Sequence, residues 1–206
     1  MSEDRGVDDL LGEDADEPHP LFGVAAVVLA AGAGSRFDGA EHKLLTEVGG
    51  QPMIRQVIDQ ARAAGFEEVI VVSGAVDLAD HVPEDVTLLH NEQWAEGQAT
   101  SLQAAVIYAA TRGYLAVVVG LGDSPGVTTS IWRAVAEIDG DLVCARYRGL
   151  LAPPVRLSAS MWASLPVSGD EGARALMRQR PDLVRPVPVD GNPHDIDTLE
   201  DLRRWS

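Results

Sequence analysis

Two cations follow a glycine-rich turn near the start of this chain, and their spacing suits a polyanion. The stretch reads Val27-Val28-Leu29-Ala30-Ala31-Gly32-Ala33-Gly34-Ser35-Arg36-Phe37, with Lys43 shortly after. Glycines after an apolar run let the backbone approach a ligand closely and take positive φ. Their N–H groups can cradle phosphate oxygens, and Arg36 and Lys43 add full positive charge. The plainer alternative is an ordinary turn with a surface Arg and Lys. The residues favour a loop for a nucleoside triphosphate. Two commoner phosphate loops are excluded. A Walker loop places Gly-Lys-Ser/Thr after the second spacing; Gly39 is followed here by Ala40 and Glu41. A dinucleotide fingerprint needs a third glycine where Phe37 stands.

Acids supply the second half of the chemistry. Asp123 follows the apolar run Leu115–Val119. Asp195 and Asp197 are two apart in a segment that reads as extended, so their carboxylates share one face. Hard oxygens of this kind suit Mg²⁺, which takes one or two carboxylates plus substrate phosphates. Each acid could instead cap a helix or turn. His42, His81, His90 and His194 show no metal-ligand spacing, and no nucleophile–His–acid set stands out.

These groups need strand ends that meet at one place. Val24–Leu29, Val69–Val72, Thr87–Leu89, Leu115–Val119 and Leu142–Ala145 read as strands. Between them lie helices over Pro52–Ala64, from Thr100 or Ser101 through Ala110, and from Thr128 or Thr129. Pro suits a first helical turn and Gly65 a stop. The alternation predicts an α/β fold: a single Rossmann-like, three-layer α/β/α domain over residues 21–206 with a mostly parallel sheet. Val155–Leu157 after Pro153-Pro154 reads as an edge strand, Gly172–Arg180 as a helix, and Val184–Val189 with two prolines as an edge or extended segment. Thr198 with Asp201 resembles a capping arrangement. Ligands bind beyond the C-terminal ends of such strands, where the glycine loop, Asp123 and the acid pair all fall. A turn of two glycines and two acids, Gly169–Gly172, precedes the helix with Arg174; a helix start welcomes an anion, and the plainer alternative is an ordinary surface helix start.

Composition narrows the function classes. Residues 1–20 hold eight acids against Arg5 and read as a solvated, disordered tail. The net charge of −16 argues against nucleic-acid binding. It also makes Arg36 and Lys43 more notable, because the global field repels a triphosphate. The one cysteine, Cys144, cannot form an internal disulfide and reads as a buried apolar residue. No apolar stretch approaches the roughly 18 residues that span a bilayer, and the acidic start lacks a signal pattern. A cytoplasmic location without a membrane partner is expected.

Taken together, the motifs resemble the MobA-like NTP transferases, and within them the molybdenum cofactor cytidylyltransferases. The glycine loop with Lys43 matches their Leu-Ala-Ala-Gly-x-Gly-x-Arg signature. Gly49-Gly50-Gln51-Pro52-Met53 resembles Gly-x-Pro-Leu, and Asn91–Gly97 with Ser101-Leu102 resembles Asn-x-x-Trp-x-x-Gly…Ser-Leu. Gly122-Asp123-Ser124-Pro125 resembles Gly-Asp-Gln-Pro, Gly169–Arg174 resembles Gly-Asp-x-Gly-Ala-Arg, and Asp195–Leu202 resembles Asp-Ile-Asp-Thr-Pro-Glu-Asp-Leu. The matches run in order from Val24 to Leu202. The resemblance implies a GT-A-like nucleotidyltransferase fold and transfer of CMP from CTP to a phosphorylated acceptor, the molybdenum-bound pterin phosphate, with pyrophosphate leaving. It implies catalytic roles for Arg36, Lys43 and Asp123. It implies nucleotide contacts from Leu29, Ala30, Ala31, Gly32, Gly34, Ser35, Arg36, Lys43, Asn91, Gly97 and Ser101. Gly169, Asp170 and Arg174 would hold the acceptor; Asp123, Asp195 and Asp197 would hold Mg²⁺, with Mn²⁺ as substitute. Cytosine is favoured because guanylyl relatives more often carry Leu-Ala-Gly-Gly. Departures sit on the acceptor side. Ser124 replaces Gln, Gly126 replaces a larger apolar residue, and Ala152-Pro153-Pro154-Val155-Arg156 stands where the family has Gly-His-Pro-Val-Leu. A sugar-phosphate acceptor is therefore an alternative, as is an accessory protein that delivers nucleotide or cofactor to a molybdoenzyme.

Overall fold

In the computed structural model, which describes residues 21–205, the chain runs β1 (Leu21–Ala30), β2 (Glu47–Val48), β3 (Gln51–Pro52), α1 (Met53–Ala63), β4 (Phe66–Ser73), β5 (Thr87–His90), α2 (Gln98–Arg112) and β6 (Ala116–Leu121). It continues with α3 (Thr129–Ala136), β7 (Leu142–Tyr147), β8 (Leu150–Ser158), α4 (Ala173–Gln179), β9 (Val184–Val189) and α5 (Leu199–Trp205). The main sheet has the order β5-β4-β1-β6-β8-β7-β9. Its strands run parallel except β8, which is antiparallel to both neighbours. β2 and β3 form a small separate hairpin. This is the expected α/β Rossmann-like arrangement with a mostly parallel sheet.

The burial of β1 explains why its sequence is an unbroken apolar run rather than an alternating one. Val24, Ala26 and Val28 face α1 and α3, meeting Ile54, Val57, Ile58, Ile131 and Trp132. Ala25, Val27 and Leu29 face α2, meeting Leu102, Ala105 and Val106. A strand covered on both faces needs apolar residues at every position. Each large side chain so buried contributes about 1.5–3 kcal/mol. Trp132 is fully buried, edge-on to Phe66 with ring centroids 6.0 Å apart. Gly120 makes room for it: a Cβ there would lie 2.5 Å from the Trp132 ring. Cys144 is buried as expected, and burial pushes its thiol up to about 12.

Four local expectations need correction. Val155–Leu157 does not lie at an edge; β8 sits between β6 and β7. The chain turns at Arg148 and Gly149, both at positive φ, and folds β8 back against β7. The register jumps from Cys144↔Val155 to Ala145↔Ala152, so Pro153 and Pro154 fall in the irregularity and remove no ladder bond. The edge strand is β9, which carries Pro186 and Pro188. α2 starts at Gln98 with Gly97 as its N-cap; Thr100 and Ser101 lie inside the first turn, buried. Leu115 stays outside β6 and is exposed, while the strand runs on past Gly120 to Leu121. Pro52 caps α1 from the end of β3 rather than opening its first turn.

Thr128 is the N-cap of α3, as read. Thr198 and Asp201 bond reciprocally at the start of α5: Thr198 N–H donates to the Asp201 carboxylate at 3.0 Å, and Asp201 N–H donates to Thr198 Oγ1 at 3.1 Å. The acidic tail over residues 1–20 lies outside the described residues, as does Ser206. Among the described residues no helix is long and apolar enough to cross a membrane.

Candidate active site

Three backbone links gather the chemistry at the C-terminal ends of β1 and β6. Gly122 N–H donates to the Leu29 carbonyl at 2.9 Å, which sets Asp123 beside the glycine loop. Ile196 N–H donates to the Asp123 carbonyl at 2.9 Å, which lays the acid pair alongside. Within the loop, Phe37 N–H donates to the Gly34 carbonyl at 2.9 Å. Gly34 has φ +61, and a Cβ there would lie 3.2 Å from Lys43 Cγ. Gly32 differs: a Cβ on it would meet no protein atom within 4 Å. Its closeness is to the cavity, as a backbone that cradles a ligand requires.

A small apolar cluster fixes the acid pair. Phe37, Val48, Met53 and Ile196 are buried together, with Leu199, Leu202 and Trp205 packed on them. Ile196 is thus anchored inward while Asp195 and Asp197 both reach the cleft. Phe37, the residue that breaks the dinucleotide fingerprint, is part of this anchor.

Lys43 is the centre of the electrostatics. It is only 8% exposed, and its ammonium donates to Asp123 Oδ2 at 2.5 Å and Asp197 Oδ1 at 2.9 Å. Burial works against its charge, and the two carboxylates outweigh it, so its pKa lies above the ordinary 10.5. Arg36 pairs with Asp197 Oδ2 at 3.0 Å from an exposed position. Asp195 accepts from Ser124 Oγ at 2.5 Å. Burial first, and then the charge of Asp123, push Asp195 up to about 6. His42 sits below the ordinary 6.5, chiefly through burial and against the pull of its bond to the Gly32 carbonyl.

Two adjoining cavities open onto these groups. The first, about 510 Å³, is lined by Leu29, Ala30, Ala31, Gly32, Gly34, Ser35, Arg36, Lys43, Gly97, Ser101 and Asp123 among the residues singled out from the sequence. The second, about 630 Å³, takes in Asp195, Arg174 and α4. Arg36, Asp123, Asp170 and Asp197 border both. Asn91 and Gly169 line neither. The buried Asn91 amide donates to Thr100 Oγ1 and Ser101 Oγ at 2.8 and 2.9 Å, and its carbonyl accepts from Gln93 N–H. It holds the α2 start in place from behind Ser101, which lines the first cavity. Gly169 clasps the same turn through Ala99 N–H to its carbonyl (2.9 Å) and its N–H to Glu96 (3.0 Å). Sequence reasoning missed Gln98 and Leu121, which border both cavities; their adjacency to Gly97 and to the end of β6 was the available signal.

No three Asp, Glu, His or Cys side chains among the described residues form a ready metal cage. Lys43 engages Asp123 and Asp197 together. The oxygens of Asp123 and Asp195 are of the hard kind that suits Mg²⁺ or Mn²⁺ with phosphate completing the shell.

Comparison with known proteins decides the family. Residues 26–184 match the MobA-like NTP transferase domain. The chain belongs to this family. A curated relative, nicotine blue oxidoreductase from Paenarthrobacter nicotinovorans, is 30% identical over 197 residues, covering 88% of this chain and 95% of that protein. The Mycobacterium tuberculosis protein Rv0371c, solved as a complex with manganese, superposes with a TM-score of 0.72 at 26% identity over 88% of this chain and 97% of that one. A nucleotidyl transferase from Methanothermobacter gives 0.75 at 26% identity, over 88% and 94%.

Within the MobA-like pattern, the departures of this chain now have locations. Ser124 is buried and serves Asp195. Gly126 lies under Trp205 and the Asn192 carbonyl, where a Cβ would approach to 2.4 Å. Neither lines a cavity. Ala152, Pro153 and Val155 do, in the second cavity.

Proposed function

We propose that this chain is a divalent-cation-dependent nucleotidyltransferase that moves CMP from CTP to a phosphorylated acceptor and releases pyrophosphate. One observation carries the reading: Lys43 and Asp123, far apart in sequence, meet at 2.5 Å on the floor of a cleft rimmed by the glycine loop. An acceptor phosphate oxygen forms a bond to the α-phosphorus. The α–β phosphoanhydride bond breaks, and its electron pair leaves with pyrophosphate. A phosphate monoester is mostly dianionic at neutral pH, its second pKa being about 6, so no base need remove a proton. The loop amides, Arg36 and Lys43 take up charge on the leaving group. Gly97 and Ser101 border the rest of the nucleotide. Asp123 and Asp195 would hold Mg²⁺, or Mn²⁺ in its place, which would neutralise phosphate charge. Three carboxylates, Asp123, Asp195 and Asp197, gather here against the cations Lys43 and Arg36, and that surplus of negative charge fits a further cation.

The choice of cytosine rests on the resemblance, in which Leu29-Ala30-Ala31-Gly32 is the form of the cytidylyl relatives. The resemblance ranks the molybdenum-bound pterin phosphate first as acceptor and a sugar phosphate second. Asp170 and Arg174 border the space it would fill. The test is pyrophosphate release with CTP, GTP, UTP and ATP crossed with molybdopterin and hexose phosphates, with and without Mg²⁺ or Mn²⁺. Lys43→Ala should lower turnover by about 10²–10³. Near-wild-type release by both Lys43→Ala and Asp123→Ala overturns the reading. Nucleotide binding without release by the wild type favours the accessory role beside a molybdoenzyme.

A second reading has a specific source in the relative named as an oxidoreductase. Phe37, buried in its apolar cluster, stands where a dinucleotide turn would need glycine. Oxidation of NADH or NADPH by the purified chain with a dye acceptor, without pyrophosphate release in the first assay, would replace the transferase reading.

A further inference from the structure

Four carboxylate oxygens where the cavities meet already have protein partners, and one of those partners is unlike the rest. Lys43 holds Asp123 Oδ2 and Asp197 Oδ1, and Arg36 holds Asp197 Oδ2. Both cations line the first cavity, so an arriving phosphate can draw them away. Ser124 is only 2% exposed and lines neither cavity, and its hydroxyl donates to Asp195 Oδ1 at 2.5 Å. A ligand in the cleft does not reach it. The backbone fixes the donor: Ser124 N–H donates to the Leu121 carbonyl at 3.3 Å, and the Ser124 carbonyl accepts from Val127 N–H at 3.1 Å. It fixes the acceptor too, through Ile196 N–H on the Asp123 carbonyl. A Cβ on Gly126 would lie 2.4 Å from the Asn192 carbonyl, so the bare glycine lets the segment leading to Asp195 come this close. The departures at 124 and 126 thus act on one segment. Glycine admits it, and a short hydroxyl side chain meets its carboxylate.

With Oδ1 committed to a buried hydroxyl, Asp195 has Oδ2 to offer a cation. Ca²⁺ takes roughly 6–8 oxygens and often grips both oxygens of one carboxylate. Mg²⁺ is smaller and is content with one or two carboxylates plus phosphate oxygens; Mn²⁺ shares its octahedral preference. A two-oxygen grip on Asp195 would have to break the Ser124 bond and leave a buried hydroxyl unpartnered, which is costly. We propose that Ser124 is a specificity-determining residue: by limiting Asp195 to one oxygen, it makes the cleft favour Mg²⁺ or Mn²⁺ over Ca²⁺. Binding of a cation here rests on the transferase reading; the limit to one oxygen rests on the Ser124 bond alone.

The probe is Mn²⁺, titrated into the metal-free full chain with and without CTP and followed by the paramagnetic resonance of the free ion. Bound Mn²⁺ is then displaced with Mg²⁺ or with Ca²⁺. For the wild type, Mg²⁺ should displace it at lower concentration than Ca²⁺. Ser124→Ala should weaken Mn²⁺ by about tenfold while Ca²⁺ loses little, so that Ca²⁺ gains on both smaller ions. Ser124→Thr keeps the hydroxyl and should keep the wild-type ratio, which a loss of packing alone would not explain. Urea unfolding in EDTA checks that each variant folds. Where Ser124→Ala does not, Ser124→Cys, a weaker donor, should shift the ratio in the same direction. A Ca²⁺-to-Mn²⁺ ratio that removal of the hydroxyl leaves unchanged overturns the proposal, and the transferase reading stands. Mn²⁺ binding that survives Asp195→Asn in full also overturns it. A wild type that takes up no Mn²⁺, even with CTP, sinks the cation-dependent reading and the proposal together.

Discussion

Replacing Asp195 with Asn puts a number on the acidic cluster. The Asp195 carboxyl is raised from 3.8 to about 6, first by burial and then by Asp123, against the Ser124 hydroxyl that pulls it down. A carboxyl raised on folding holds its proton more tightly in the native state. Between the two values the folded chain binds more protons than the unfolded one, so stability falls as pH rises through that window. Below about 4 both states are protonated and nothing is lost; above about 6 the whole penalty is present. The rise corresponds to about 3 kcal/mol at 1.36 kcal/mol per pH unit. Water reaches the partly buried site and screens some of it, so about 1–3 kcal/mol is expected. The amide introduced by Asp195→Asn would be neutral throughout, and its carbonyl can still accept from Ser124. Without divalent cation, Asp195→Asn should therefore be more stable than wild type above pH 6, with the gap closing toward pH 4. Urea unfolding in EDTA across that range measures it. Mg²⁺ or Mn²⁺ should then stabilise the wild type more than the variant. A gap that does not change with pH, or a variant less stable at pH 7, refutes the reasoning.

Two further substitutions test the frame of the site. Glu68 accepts from Thr87, Tyr108 and Tyr114 at 2.5–2.7 Å; burial raises its pKa, but these donors more than offset it, leaving the carboxyl below the ordinary 4.5. Glu68→Gln should cost about 1.5–3 kcal/mol above pH 4.5, and urea midpoints should converge as pH falls through the folded value; a gap that persists in acid contradicts the assignment. Gly97 has φ +109, and a Cβ there would lie 2.4 Å from the Gly169 carbonyl carbon. Gly97→Ala should cost roughly 1–3 kcal/mol or more and speed hydrogen exchange at the Ala99 and Gly169 amides; an unchanged melting temperature would show that the clasp is not needed.

The chemistry was legible where it was local. The glycine loop works through contiguous residues, and Leu29 through Arg36 line one cavity in chain order. The meeting of Lys43 with Asp123 spans 80 positions, and only the general placement of ligands at strand ends suggested it. The two-residue spacing of Asp195 and Asp197 correctly sent both toward the cleft. It could not say that one would answer to Ser124 and the other to Lys43, because that depends on where Ile196 is buried. Asn91 shows a related limit: a buried amide that ties Thr100 to Ser101 has the same sequence signature as one that meets a base. β8 misled because proline argues for an edge unless a register jump absorbs it, and the jump belongs to the pairing with β7, not to the strand itself.

The charge arrangement bears on why a chain this acidic would bind a triphosphate. Arg36 and Lys43 are the cations nearest the glycine loop, and both are already engaged, with Asp197 holding each and Asp123 sharing Lys43. Asp170 and Asp195 add further negative charge at the border of the cavities. A bare triphosphate therefore meets amide donors but no surplus of positive charge, within the field of a chain carrying −16. On the proposed reading, the cleft favours a triphosphate that arrives with its divalent cation. The cation would satisfy the carboxylates that Lys43 otherwise satisfies, and Lys43 would then be free to meet phosphate oxygens. On that reading the groups that hold the cleft together would also select the charged form of the nucleotide that enters it.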